Sequence, residues 1–152
     1  MPADRTFAGA AEFATELRRL RTERDAQVSA TKSAARTRAS LTRAERAAVL
    51  AKAGGRCHIC GGLITGSKWE ADHVFAHSSG GAHSVDNYLP AHSLCNNYRW
   101  HYGTEEFQWI LKLGVWLRTQ IEKQTLTGKA VGDQFVAHEC RRANRRRPGK
   151  PA

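Results

Sequence analysis

Cys57-His58-Ile59-Cys60 and His92-Ser93-Leu94-Cys95 are two pairs of metal-ligating residues with the same two-residue gap. Three thiolates and one imidazole spaced in this way form a tetrahedral donor set for zinc, each pair supplying one knuckle. Disulfides among Cys57, Cys60, Cys95 and Cys140 are the weaker account, because Cys57 and Cys60 are separated by only two residues and nothing indicates export. A site closed by four protein ligands is structural, so this ion is expected to hold the chain rather than to react. Few sizeable apolar residues lie between Arg56 and His101, too few to fix so small a unit by burial. A structural zinc contributes on the order of 10 kcal/mol coupled to folding.

The loop that the zinc would close carries Trp69-Glu70-Ala71-Asp72-His73-Val74-Phe75-Ala76-His77-Ser78-Ser79-Gly80-Gly81, then Asp86-Asn87-Tyr88-Leu89, and ends at Cys95-Asn96-Asn97-Tyr98-Arg99. Together these residues resemble the HNH endonuclease family: its Asp-His pair, Ser-x-Gly-Gly turn, Asp-Asn-Leu-like strand and Cys-Asn helix start all have counterparts here, in order. The resemblance covers roughly residues 55 to 101, and His92 stands where the family often has a third Cys. It implies a ββα-metal core, also called a His-Me finger, in which Asp72, His73, Asn87 and Asn96 form the catalytic set. Adjacent strand residues point to opposite faces, so Asp72 and His73 serve one site only with the local bend that the resemblance implies. His73, as neutral imidazole, would then take a proton from water, and Asp72 and Asn96 would offer hard oxygen ligands to a catalytic Mg²⁺ or Mn²⁺. Asn87 would hold the loop and the orientation of His73. Attack of water on the phosphate predicts 5′-phosphate and 3′-hydroxyl ends. His77, Ser79 and Arg99 are candidate phosphate contacts beside the scissile bond.

These residues need elements to carry them. Residues 7 to about 36 favour helix, with Phe13, Leu17, Leu20 and Val28 as a thin apolar stripe, and the stretch beyond Val28 is expected to be exposed or frayed. Thr42 and Glu45 form a capping-box pattern ahead of a second helix that Gly54-Gly55 ends. Residues 56 to 103 read as two short strands, a long loop and a helix from about Leu94. A helix opened by Thr104 as N-cap and reaching about Lys123 is apolar on more than one face, either the core on which the rest packs or half of a partner interface. A last helix after Gly128 ends in basic residues, of which Arg141, Arg142, Arg145 and Arg146 are candidate nucleic-acid contacts. Trp69, Trp100, Trp109 and Trp116 are expected in the core rather than as a base-stacking platform.

The net charge of +10 is carried by the chain's ends: residues 1–52 hold 11 Lys/Arg against 6 Asp/Glu, and residues 138–152 hold 6 against 1. Basic flanks around a neutral centre suit non-specific attraction of phosphate. No apolar run reaches bilayer length and the first residues lack a secretory pattern, so a cytoplasmic protein is expected.

The expected fold is α+β, a mainly helical chain around a small zinc-stapled ββα-metal core. A basic helical extension is expected over 1–40, the nuclease core over 41–103, helices with a basic tail over 104–147 and a disordered end over 148–152. The expected function is metal-dependent hydrolysis of double-stranded DNA, with a homo-oligomer or partner protein through the helix at 105–123. The alternative is a non-catalytic, zinc-stabilised DNA-binding module.

Overall fold

The computed structural model describes residues 5–32, 40–77 and 80–146. Ser79, most of the stretch expected to fray after Val28 and the expected disordered end at 148–152 lie outside the described residues. Two units divide the chain, Met1–Phe107 and Gln108–Ala152. Mainly helical with one small antiparallel sheet, the chain has the expected α+β class.

In the first unit, helix α1 spans Ala10–Lys32. Leu20 is buried on it, but so are Glu16 and Arg24, one turn to either side. The buried face is therefore held by charge as well as by the expected apolar stripe. Arg24 pairs with Glu106 and lies over the rings of Trp100 and Tyr102, with its guanidinium carbon 5.0 and 5.1 Å from their centroids. Glu16 accepts two hydrogen bonds from Arg19.

Helix α2 spans Arg43–Lys52 and opens with the expected capping box: the Glu45 N–H donates to Thr42 Oγ1, and the Thr42 N–H donates to Glu45 Oε2. It ends at Gly54 and Gly55, whose φ values of +57° and +71° suit glycine. Strand β1, Glu70–His73, pairs antiparallel with β2, Tyr88–Ala91, from Glu70 opposite Ala91 to His73 opposite Tyr88. A 3-10 turn at Val85–Asn87 leads into β2, and helix α3, Ser93–Arg99, follows it, completing β-β-α. Val49 of α2, Trp69 and Tyr88 are the centre of the core, with Leu41, Leu50, Ile64, Ala71 and Val85 packed around them. Arg46 closes one side, its guanidinium 4.2 Å from the Trp69 ring and hydrogen-bonded to the Trp69 carbonyl.

Helix α4 spans Thr104–Glu122, so the unit boundary falls within it, and Thr104 is its first residue rather than its cap. In the second unit Leu111, Val115 and Trp116 of α4 are exposed, Val115 to 68%. Among the tryptophans, Trp69 and Trp109 are buried, while Trp100 and Trp116 are half exposed and depart from the expected core placement. Helix α5, Leu126–Arg146, begins two residues before Gly128. The Thr125 hydroxyl accepts from the Gly128 N–H, and a Cβ on Gly128 would lie 2.0 Å from the Gln120 carbonyl oxygen. This glycine sits in the first turn of α5 because backbone occupies the space of a side chain. No helix among the described residues is long and apolar enough to cross a membrane.

Candidate metal centre and adjoining cleft

Gly61, at φ +72°, turns the chain back after Cys60, and its N–H donates to the Cys57 carbonyl while the Cys57 N–H donates to the Gly62 carbonyl. The His58 N–H donates to Pro90 O, tying this knuckle to β2. His92 and Cys95 flank the start of α3. One donor atom from each of Cys57, Cys60, His92 and Cys95 lies within 4.8 Å of the others. Nδ1 of His92 is 3.4 Å from Cys60 Sγ and 3.9 Å from Cys95 Sγ. A tetrahedral zinc with ordinary bond lengths needs sulfur and nitrogen about 3.6 Å apart, so the cluster is compatible with that ion. The opposite nitrogen of His92, Nε2, donates to the Leu63 carbonyl at 3.0 Å, which fixes the tautomer that leaves Nδ1 free to ligate.

The thiols are unequal. Burial pushes Cys57 up, but the backbone N–H groups of Cys60, His92 and Ile59 outweigh it and bring the thiol down to about 6. Burial, with the hydrogen bonds to Cys60 and Cys57, pushes Cys95 up to about 12. Three sulfurs so close cannot all carry charge without a cation among them, and a divalent metal resolves that conflict.

Asp72 is 5% exposed and both of its oxygens are engaged. Nε2 of His58 donates to Oδ2 at 2.8 Å, and Nη1 of Arg99 donates to Oδ1 at 3.2 Å. Arg99 also donates to the carbonyls of His73 and Val74 at 3.0 and 2.9 Å, binding α3 to the end of β1. Neither His58 nor this role of Arg99 was legible as part of the site. The only signal was that His58 stands inside the Cys57–Cys60 knuckle.

The β1–β2 ladder runs regularly through His73, and the neighbours Asp72 and His73 keep different partners. His73 packs beside Tyr88, His83 and His77, with ring centroids 4.3, 4.9 and 5.5 Å away. Both residues nonetheless line one cleft of about 740 Å³, together with His77, His83, Asn96 and Arg99. Asn87 stands behind it: Oδ1 accepts from the Phe75 N–H, while Nδ2 donates to the carbonyls of Phe75 and Ala82. Gly81 is required there, since a Cβ would fall 1.9 Å from the Phe75 oxygen. Arg141, Arg142, Arg145 and Arg146 lie on α5 in the second unit.

No curated protein and no solved structure matches the chain. A family model does match, over the segment that runs from the first cysteine of the knuckle to the arginine on Asp72. Residues 57–99 match the model of the HNH endonucleases, so over that segment the chain is similar to this family.

Proposed function

We propose that the chain is a metal-dependent endonuclease that hydrolyses DNA, with His73 as general base and Asp72 and Asn96 as the oxygen ligands of Mg²⁺ or Mn²⁺. The carrying observation is that all three line one cleft whose wall is α3, the helix that begins at the Cys3His cluster. The donor set fits a hard ion: each Asp72 oxygen accepts one hydrogen bond and keeps a further lone pair, and Mg²⁺ needs only one or two protein oxygens besides phosphate and water. Such an ion would supply Lewis acidity to the scissile phosphate and its leaving oxygen.

His73 as neutral imidazole takes a proton from water, which attacks phosphorus as the 3′ oxygen leaves, giving 5′-phosphate and 3′-hydroxyl ends. Asn87 holds the segment after His73 by its three hydrogen bonds, keeping the imidazole at the cleft. Arg99 brings a positive charge to the same wall and, with His77 and Ser79, would contact phosphates flanking the break. Arg141, Arg142, Arg145 and Arg146 would add non-specific affinity for the duplex in the cytoplasm.

Incubation of supercoiled plasmid with the protein and Mg²⁺ or Mn²⁺, followed by end mapping, tests this reading. Relaxed or linear product with 5′-phosphate ends is expected. DNA retention without cleavage in any divalent metal would instead make the chain the non-catalytic binding module. The exposed Leu111, Val115 and Trp116 favour a second, compatible reading, in which the helix at 105–123 joins a second copy or a partner protein. Light scattering tests it: a dimer or hetero-complex is expected, and a monomer at all concentrations with no partner contradicts it.

A further inference from the structure

Three of the chain's seven histidines meet on one wall of the cleft. The ring centroids of His73, His77 and His83 form a triangle with sides of 4.4, 4.9 and 5.5 Å. An imidazole ligating at an ordinary zinc–nitrogen distance keeps its ring centre about 3.2 Å from the ion. Two such ring centres are then about 4.5 Å apart at an octahedral ion and about 5.2 Å apart at a tetrahedral one. The observed triangle spans those values. Rotation about χ2 of His73 and His77, a soft torsion that leaves each ring centre nearly in place, would turn their nitrogens inward while His83 keeps its bond to Tyr88.

His83 is prepared for such a role. Its Nδ1 shares a hydrogen bond with the Tyr88 hydroxyl, and with the N–H donating, Nε2 presents its lone pair. That Nε2 is buried and has no hydrogen-bond partner among the described residues. Tyr88 is itself fixed, buried in the core beside Val49 and Trp69.

We propose that His73, His77 and His83 form a second metal site, distinct from the Cys3His cluster, which takes one borderline transition ion such as Ni²⁺, Co²⁺ or Zn²⁺. Three imidazoles without a carboxylate select these ions over Mg²⁺, and three ligands leave positions open toward the cleft. On the proposed function, such an ion competes with catalysis, because it takes the lone pair with which His73 would accept a proton from water.

The test begins with protein whose Cys3His cluster is filled with zinc, titrated with Ni²⁺ by calorimetry. One Ni²⁺ per chain is expected, with affinity at least tenfold weaker in both His77→Ala and His83→Ala and unchanged in His138→Ala. Absence of saturable Ni²⁺ binding, or equal binding in both cleft variants, would overturn the site. Circular dichroism of each variant guards against loss of fold, and the wild-type stoichiometry stands independently of them. Ni²⁺ is further expected to inhibit Mg²⁺-dependent cleavage, with the inhibitory concentration raised at least tenfold by His83→Ala. Stoichiometric binding without inhibition would overturn the ligand role of His73. A chain that cleaves no DNA yet binds Ni²⁺ as expected loses the nuclease reading and keeps the site; one that cleaves and binds none does the reverse.

Discussion

Nε2 of His58 lies 2.8 Å from Oδ2 of Asp72, so a residue held between two cysteines of the Cys3His cluster touches the carboxylate next to His73. The knuckle thus reaches the cleft through one imidazole as well as through the start of α3. Partners that orient a metal-binding carboxylate typically matter by about 10–100-fold. His58→Ala is expected to lower Mg²⁺-dependent cleavage at least tenfold while bound zinc, measured by elemental analysis, stays equal to that of the wild type. His58→Gln, which keeps a donor, should recover part of the loss. Full activity in the alanine variant would remove His58 from this role.

Removal of the zinc is expected to collapse the first unit's core, because Val49, Trp69 and Tyr88 are so small a centre. Near-ultraviolet circular dichroism in a strong chelator reads this directly through Trp69 and Tyr88. Their signal should be lost and should return on adding zinc. A spectrum indifferent to chelation would show that burial alone suffices.

Asn87→Ala deletes three hydrogen bonds to the backbone at Phe75 and Ala82. Leaving those groups without their partner should cost about 1–3 kcal/mol, read as a lower urea midpoint. The rate of cleavage should fall by more than the lost folded fraction explains, because the segment after His73 is released. A stability loss with an unchanged rate per folded molecule would confine Asn87 to the fold.

His101 gives a pH dependence with a definite sign. Burial, and then the charge of Arg24, hold its imidazole below the usual value of 6.5. The unfolded chain therefore binds more protons at this position as pH falls from 6.5 toward the lowered value, and stability declines across that window. Urea midpoints at pH 7.5 and 5.5, with zinc in excess, should differ less in His101→Gln than in the wild type. An identical difference would contradict the shift.

Much of this was readable in the residues. The capping box at Thr42 and Glu45, the glycine stop at 54 and 55, and the β-β-α order depend on local chemistry, and they appear as expected. The paired spacing of Cys57/Cys60 and His92/Cys95 is likewise a local property. What escaped the sequence depends on distant segments meeting. Arg24 carried no assignment, yet it is buried, paired with Glu106 from 82 residues further along the chain. His58 carried no assignment, because its partner Asp72 is set by how the knuckle docks on the sheet, and His83 none, because its bond to Tyr88 depends on the 3-10 turn between them. The apolar face of α4 was ambiguous for the same reason, since periodicity marks an apolar face without naming what covers it.

The catalytic claim rests on His73, and the most direct measurement compares wild type and His73→Ala on a labelled DNA duplex with Mg²⁺, scoring cleavage and DNA retention on the same samples. The expected result is a loss of cleavage of at least a hundredfold with retention and bound zinc unchanged. Cleavage at the wild-type rate by His73→Ala would contradict it.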